Sequence, residues 1–246
     1  MSTYWQNNRR AENPEQFDRE VGVVCEAYQK ALEFQAQNVH LVSTDEKTGI
    51  QALERAAPTL PMRPGEVERR EHEYERHGTL ALIANFEVAT GKVIAPSLGP
   101  TRTEEDFAAH IAQTVALAPE ASWIFIADQL NTHQSASLVR WVAEQCNLTV
   151  DLGVKGKSGV LKSQPSRAEF LQDPTHRIRF IYTPIHTSWL NQVEIWFSIL
   201  VRRLLKRGNF TSVEDLRQRI LAFIDYFNRT MAKPFKWTYA GRPLTA

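Results

Sequence analysis

Trp123-Ile124-Phe125-Ile126-Ala127-Asp128-Gln129-Leu130-Asn131-Thr132-His133 is the stretch on which the architecture turns. Its first five residues are apolar and rich in aromatic and β-branched side chains. The run is too short for a buried helix and reads as an interior strand. Asp128 ends it, and a polar turn leads into 134–145, whose periodicity predicts a helix. Strand, acid, turn and helix in that order make half of a crossover unit, the kind that builds parallel sheets.

Toward the N-terminus, 79–88 and 92–98 flank Ala89-Thr90-Gly91 and read as a hairpin. Residues 38–44 read as a strand closed by Asp45, and Phe17, Val21, Val24, Tyr28 and Leu32 give a helical spacing over 17–35. Pro58, Pro61 and Pro64 break the chain between strands. Thr103, with Asp106 at capping-box spacing, predicts a helix to about Leu117. Toward the C-terminus, 178–182 reads as a strand before Pro184. Ser188 is expected to cap a helix with an apolar stripe of Leu190, Val193, Trp196, Phe197, Leu200, Val201 and Leu204, closed by Gly208. A last helix covers 213–228. The fold class is therefore α/β, a mixed five-stranded sheet flanked by helices, antiparallel first and parallel after. Asp45 and Asp128 both fall at strand C-termini, where such sheets place their sites.

At 246 residues and 43% apolar composition, the chain suffices for one large domain or two small ones. No stretch approaches the roughly 20 apolar residues of a membrane span, so no membrane partner is expected. Residues 1–10 are polar and lack a signal-peptide core. Cys25 and Cys146 form no framework and read as reduced thiols, pointing to a cytoplasmic protein. Net charge is only +1, but residues 151–246 carry +9 and residues 1–150 carry −8. A basic C-terminal part suits a polyanion, or is simply a solvated helix face and loop.

Two motif resemblances fail on spacing. Asp151 to Ser158 resembles a phosphate-binding loop with Asp in place of its first Gly; Gly159 and Pro165 then argue against the helix such a loop requires. Residues 153–167 instead read as an exposed basic loop. His72 and His77 flank Glu73 five residues apart, the wrong interval for zinc on one helix face. No Gly-x-Ser-x-Gly elbow is present.

Three acids remain. Asp45 and Asp128 end strand-like runs, and Glu194 sits inside an apolar helical stripe. Singly, each has an ordinary reading: a turn acid, a helix cap, a salt bridge to Arg202 or Arg203. Jointly, they form an oxygen-donor set for hard divalent ions, provided the fold brings them together.

The chain resembles the IS630-type (Tc1/mariner superfamily) DDE transposases. The stretches that carry the resemblance are Ser43-Thr44-Asp45-Glu46-Lys47-Thr48-Gly49-Ile50-Gln51-Ala52-Leu53, Leu60-Pro61-Met62-Arg63-Pro64-Gly65 with Val67-Glu68-Arg69-Arg70, and Arg76-His77-Gly78-Thr79. Val88-Ala89-Thr90-Gly91-Lys92-Val93 follows, then Asp128 with Asn131-Thr132-His133, Ser188-Trp189-Leu190-Asn191-Gln192-Val193-Glu194 and Pro234-Phe235-Lys236-Trp237-Thr238. Such proteins commonly carry Asn where this chain has Gln129, and their interval between the last two acids is shorter.

The resemblance implies an RNase H-like fold, with 1–37 as an N-terminal tail and helix and 38–246 as the catalytic domain, carrying a basic insertion near 153–167. It implies Asp45, Asp128 and Glu194 as a catalytic triad holding two Mg²⁺ (or Mn²⁺) ions for DNA strand cleavage and strand transfer in transposition. The alternative is an inactive remnant that still binds DNA. Partners would be double-stranded DNA (transposon ends and target), a second copy in a homodimer on DNA, and a separately encoded helix-turn-helix part; the place would be the bacterial nucleoid. Lys47, Asn131 and His133 are the expected DNA contacts near the acids, each with a plain alternative as solvated lysine, helix cap and helix-start histidine. Arg202, Arg203, Lys206 and Arg207 would bind backbone phosphate or complement the helix dipole. Trp189 and Trp196 read as packing residues.

Overall fold

The strand read from Trp123 is interior, as expected. In a computed structural model, which describes residues 13–57, 60–67 and 73–239, Ser122–Ala127 (β4) lies between two parallel neighbours. On one side Val39–Arg55 (β1) pairs Val39 to Ser43 against Ser122 to Ile126; on the other, Ile178–Tyr182 (β5) pairs with Trp123 to Ala127. Tyr74–Glu87 (β2) runs antiparallel to β1, and Lys92–Gly99 (β3) antiparallel to β2, giving the order β3-β2-β1-β4-β5.

β1 differs from its expected end. It does not stop before Asp45 but continues to Arg55, because β2 offers it a partner as far as Tyr74. The extension passes through an irregularity at Lys47 to Ile50, where Gly49 takes φ +64°. Asp45 is therefore a mid-strand residue. It still stands level with the C-terminal end of β4, since Ser43 is paired with Ile126.

Helices cover both faces. Glu104–Val115 (α3), Ala136–Gln145 (α4) and Gln164–Leu171 (α5) close one face over Val42, Phe125, Phe180 and Tyr182. Pro14–Gln29 (α1) and Ala31–Ala36 (α2) split the expected 17–35 helix at Lys30. α1 seats Val21, Val24 and Tyr28 against Leu41, Ile124 and Ile126 on the opposite face, so the segment set apart as 1–37 shares the sheet's core from Asn13 on. Gln192–Arg203 (α6) and Val213–Thr230 (α7) cover the remainder of that face, over Leu82, Ala84 and Phe86. Thr103 caps α3 through the expected box with Asp106. No helix among the described residues is long and apolar enough to cross a membrane.

The segment expected as a basic loop is half right. Lys155 to Gly159 are exposed, but Leu161 is buried and α5 begins at Gln164. Ser163 caps α5 in a box with Ser166, and Pro165 occupies its first turn, where a missing N–H costs nothing. Arg167, counted as part of the loop's charge, is only 7% exposed. Its guanidinium donates to Gln134 O (2.6 Å), Leu161 O (3.4 Å) and Asn131 Oδ1 (3.4 Å), pinning α5 to the turn after Asp128. Replacing Arg167 by Met should cost about 2–3 kcal/mol in urea denaturation, since buried acceptors lose their donor. Lys157→Ala, in the exposed turn, should stay within about 0.5 kcal/mol; equal costs would contradict this division of the segment.

Candidate active site

Strand alternation sorts the residues around Asp45. Ser43, Asp45 and Lys47 point toward α6, while Thr44 and Glu46 point toward α3 and α4. Asp45 is 6% exposed. Its Oδ1 accepts from Glu46 N (2.7 Å), and its Oδ2 accepts from Asn191 Nδ2 (3.3 Å).

Asn191 is the residue that seats α6. Its amide also donates to Thr44 O (3.0 Å), and its Oδ1 accepts from the Ser43 hydroxyl. The first N–H groups of α6 need acceptors. Val193 N finds Ser43 Oγ (2.8 Å) and Gln192 N finds the Tyr28 hydroxyl (3.2 Å), which itself donates to Leu190 O (2.8 Å). Ser188, the expected cap, lies instead in a short 3₁₀ turn, Ser188–Leu190. Glu194 thus enters in the first turn of a helix tied to the strand that carries Asp45.

Asp128 follows β4, and its Oδ1 accepts from Leu130 N (3.0 Å). His133 sits beneath it with no exposed side-chain surface. His133 Nδ1 lies 2.7 Å from Asp128 Oδ1, and Nε2 lies 2.9 Å from Glu46 Oε2. Asp45, Asp128 and His133 each offer a ligand atom within 4.8 Å of the others. Glu194 stands outside that group, half-buried, with Lys47 and Asp128 as its charged neighbours.

The electrostatics follow from crowding. Burial, then repulsion from Asp128, raises the Asp45 pKa to about 7. Burial also raises Glu194, with Asp128 adding to it and Lys47 opposing. Burial works against a charge on His133, but its bonds to Asp128 and Glu46 prevail and lift its pKa to about 10. Burial likewise opposes ionisation of Asp128, and the imidazolium prevails there too, lowering its pKa. A cleft of about 1190 Å³ opens beside Asp128, between α5 and the loop from Thr183 to Ser188.

The other expected residues spread out. Lys47 is half-buried, with Nζ 5.9 Å from the centre of the Phe197 ring. Asn131 is exposed and caps no helix; Ser135 caps α4. His133 corrects its expectation as a DNA contact, because a fully enclosed ring presents nothing to a phosphate. Arg202 and Arg203 are exposed in the last turn of α6, and Lys206 and Arg207 in the 3₁₀ turn Leu205–Arg207 beyond it; the nearest, Arg202, is eight residues or roughly 12 Å along the helix from Glu194. Arg202 and Arg203 therefore do not pair with Glu194. Trp196 is buried, as expected, whereas Trp189 is 51% exposed, edge-on to Tyr239. Gln129 donates to Thr183 O (3.0 Å). Sequence reasoning assigned no role to Glu46, Asn191 or Arg167. A second acid–histidine group, Glu54, Glu75 and His77, lies further along the β1–β2 pair; Glu68, Arg69, Arg70 and His72 fall outside the described residues.

A sequence model of the DDE superfamily endonucleases matches residues 40–217, a span containing all three acids. The chain belongs to that family. Among curated proteins, none matches its sequence. Solved structures with a similar fold include the Mos1 transposase paired-end complex with the left transposon end (14% identity, TM-score 0.53, 92% of this chain and 57% of that one). A Mos1 mariner paired-end complex with Mn is 13% identical, with TM-score 0.55 over 98% and 62% of the two chains. The Mos1 catalytic domain with raltegravir and Mg is 10% identical, with TM-score 0.51 over 97% and 90%. This DDE chain thus has the RNase H-like mixed sheet, and spans 57–62% of the length of the transposase chains in those two paired-end complexes.

The crowded acids carry a stability consequence. In the unfolded chain Asp45 ionises near 3.8; in the folded chain it does so near 7. Between those values only the unfolded state has lost the proton, so stability falls as pH rises across the window. Asp45→Asn should remove that slope and stabilise the protein, in chelator at pH 8, by up to about 4 kcal/mol. Thermal melts at pH 5 and pH 8 read this directly; a mutant no more stable than wild type at pH 8 contradicts it.

Proposed function

We propose that the chain is the catalytic domain of an IS630-type, Tc1/mariner-like DDE transposase that cuts DNA strands at transposon ends and joins them to target DNA. The observation that carries this reading is the convergence of Asp45 and Asp128, within 4.8 Å at their ligand atoms and inside the family-matched segment. The donors fit a hard divalent cation. Asp45 is a buried carboxylate under repulsion from Asp128, an excess of negative charge that a hard cation would offset. Asp45, Asp128 and Glu194 would hold two Mg²⁺ or Mn²⁺ ions. Bound ions of that kind supply Lewis-acid polarisation of a phosphodiester and activation of an attacking hydroxyl.

The chain's own residues do the rest. Asn191 holds Asp45 and the start of α6 together, so the Glu194 carboxylate stays on the side of the sheet that Asp45 faces. Lys47 lies beside Glu194 and moderates its charge. The exposed Arg202, Arg203, Lys206 and Arg207 offer backbone phosphates a landing strip at the end of α6 and in the turn after it. Residues 38–246 form the catalytic domain together with α1 and α2, which complete its core. Double-stranded DNA, a second copy of the chain and a separately encoded helix-turn-helix part complete the working assembly at the nucleoid.

Asp45→Asn, Asp128→Asn and Glu194→Gln should each lower Mn²⁺-dependent nicking by about a thousand-fold, the several kcal/mol that metal-stabilised charge is worth, while the fold persists. Full activity in Asp128→Asn would sink the assignment. Binding without nicking by wild-type protein would favour an inactive remnant. Neutralising the four basic residues should flatten the plot of log affinity against log salt by about 0.9 for each phosphate that the protein ceases to neutralise. An unchanged slope would remove the cluster from the DNA surface.

A further inference from the structure

We propose that Glu46 and His133 are positioning residues of this centre: His133 fixes the Asp128 carboxylate toward Asp45, and Glu46 fixes His133. The inference rests on the catalytic reading above and gives it an inner support.

Glu46 follows Asp45 on β1, so the pleat sends the two carboxylates to opposite faces. Asp45 faces α6; Glu46 faces the core under α3 and α4, where its side chain has no exposed surface. His133 is equally enclosed and joins the two faces, Nε2 at 2.9 Å from Glu46 and Nδ1 at 2.7 Å from Asp128. Its ring lies 4.2 Å from that of Phe107, and its carbonyl accepts from the Tyr182 hydroxyl (2.8 Å). Ring and backbone are thus both held, and the bonds to His133 Nδ1 and Leu130 N both fall on Asp128 Oδ1. A buried carboxylate with a single imidazole partner is costly unless the pair stays intact. Neither side chain reaches the surface, so neither touches DNA. Their effect on chemistry is indirect, through the carboxylates of the centre and chiefly Asp128, in the way outer partners orient metal-binding groups.

The full chain tests this with Mn²⁺ as the probe, counted by electron paramagnetic resonance of the free ion, alongside steady-state nicking of supercoiled DNA. His133→Ala is expected to weaken Mn²⁺ binding by about 10–100-fold and to lower kcat with KM for DNA unchanged. Glu46→Gln keeps the shape and is expected to shift both in the same direction by less. His133→Asn places an amide donor where Nδ1 stands, and is expected to recover most of the Mn²⁺ affinity. If His133→Ala does not fold, Glu46→Gln against His133→Asn decides the matter by the same two readouts. Wild-type Mn²⁺ affinity and kcat in His133→Ala, or in Glu46→Gln where the alanine variant does not fold, would overturn the inference. So would an effect confined to KM, which would put His133 against DNA. Wild-type protein that neither binds Mn²⁺ nor nicks would overturn the catalytic reading itself.

Discussion

Three carboxylates, Asp45, Asp128 and Glu46, meet at one corner of the sheet with a single internal cation, His133, among them. Glu194 adds a fourth negative group at longer range. Like charges do not gather in a low-dielectric place without compensation. The protein tolerates the arrangement by spending its imidazolium on Asp128 and Glu46, which leaves Asp45 the least satisfied of the set. That imbalance is what a divalent cation would relieve, and it ties metal affinity, pH-dependent stability and catalysis to the same few atoms.

The rest of the fold holds those atoms still. β1 and β4 run in parallel and in register, bringing Asp45 level with the end of the strand that Asp128 follows. α6 arrives from far along the chain and is anchored by side chains: Asn191 and Ser43 tie it to β1, and Tyr28 ties it to α1. Helix α1 therefore helps to seat the helix that carries Glu194, as well as contributing to the core. On the other face, Arg167 clamps the turn that carries His133, and α5 lines the cleft beside Asp128. The cleft beside Asp128 exists because α5 stands there.

Local signals were legible in the sequence. The Trp123 strand, the Thr103 capping box, the hairpin about Gly91 and the final helix are each specified by a few neighbouring residues. Most of the misreadings involve partners distant in sequence. β1 runs past Asp45 because β2 pairs with it, something no local pattern announces. α6 is capped by hydroxyls 150 and 164 residues away, and so the adjacent Ser188 was a false lead. Pro165 resembled a helix breaker because its position in the first turn was invisible without Ser163 and Ser166 in view. His133 and Arg167 looked like surface chemistry because polarity was readable and burial was not. Asp45 and Asp128 could be named from sequence, but their convergence is a property of register.

The central claim is that the Asp45–Asp128 corner is where a divalent cation binds. Crystals soaked in Mn²⁺ and measured at the manganese absorption edge locate such an ion without any assay. The expected result is anomalous density in contact with the Asp45 and Asp128 carboxylates. Density only at Glu54, Glu75 and His77, the other group among the described residues whose ligand atoms lie within 4.8 Å of one another, with none at Asp45, would contradict the account.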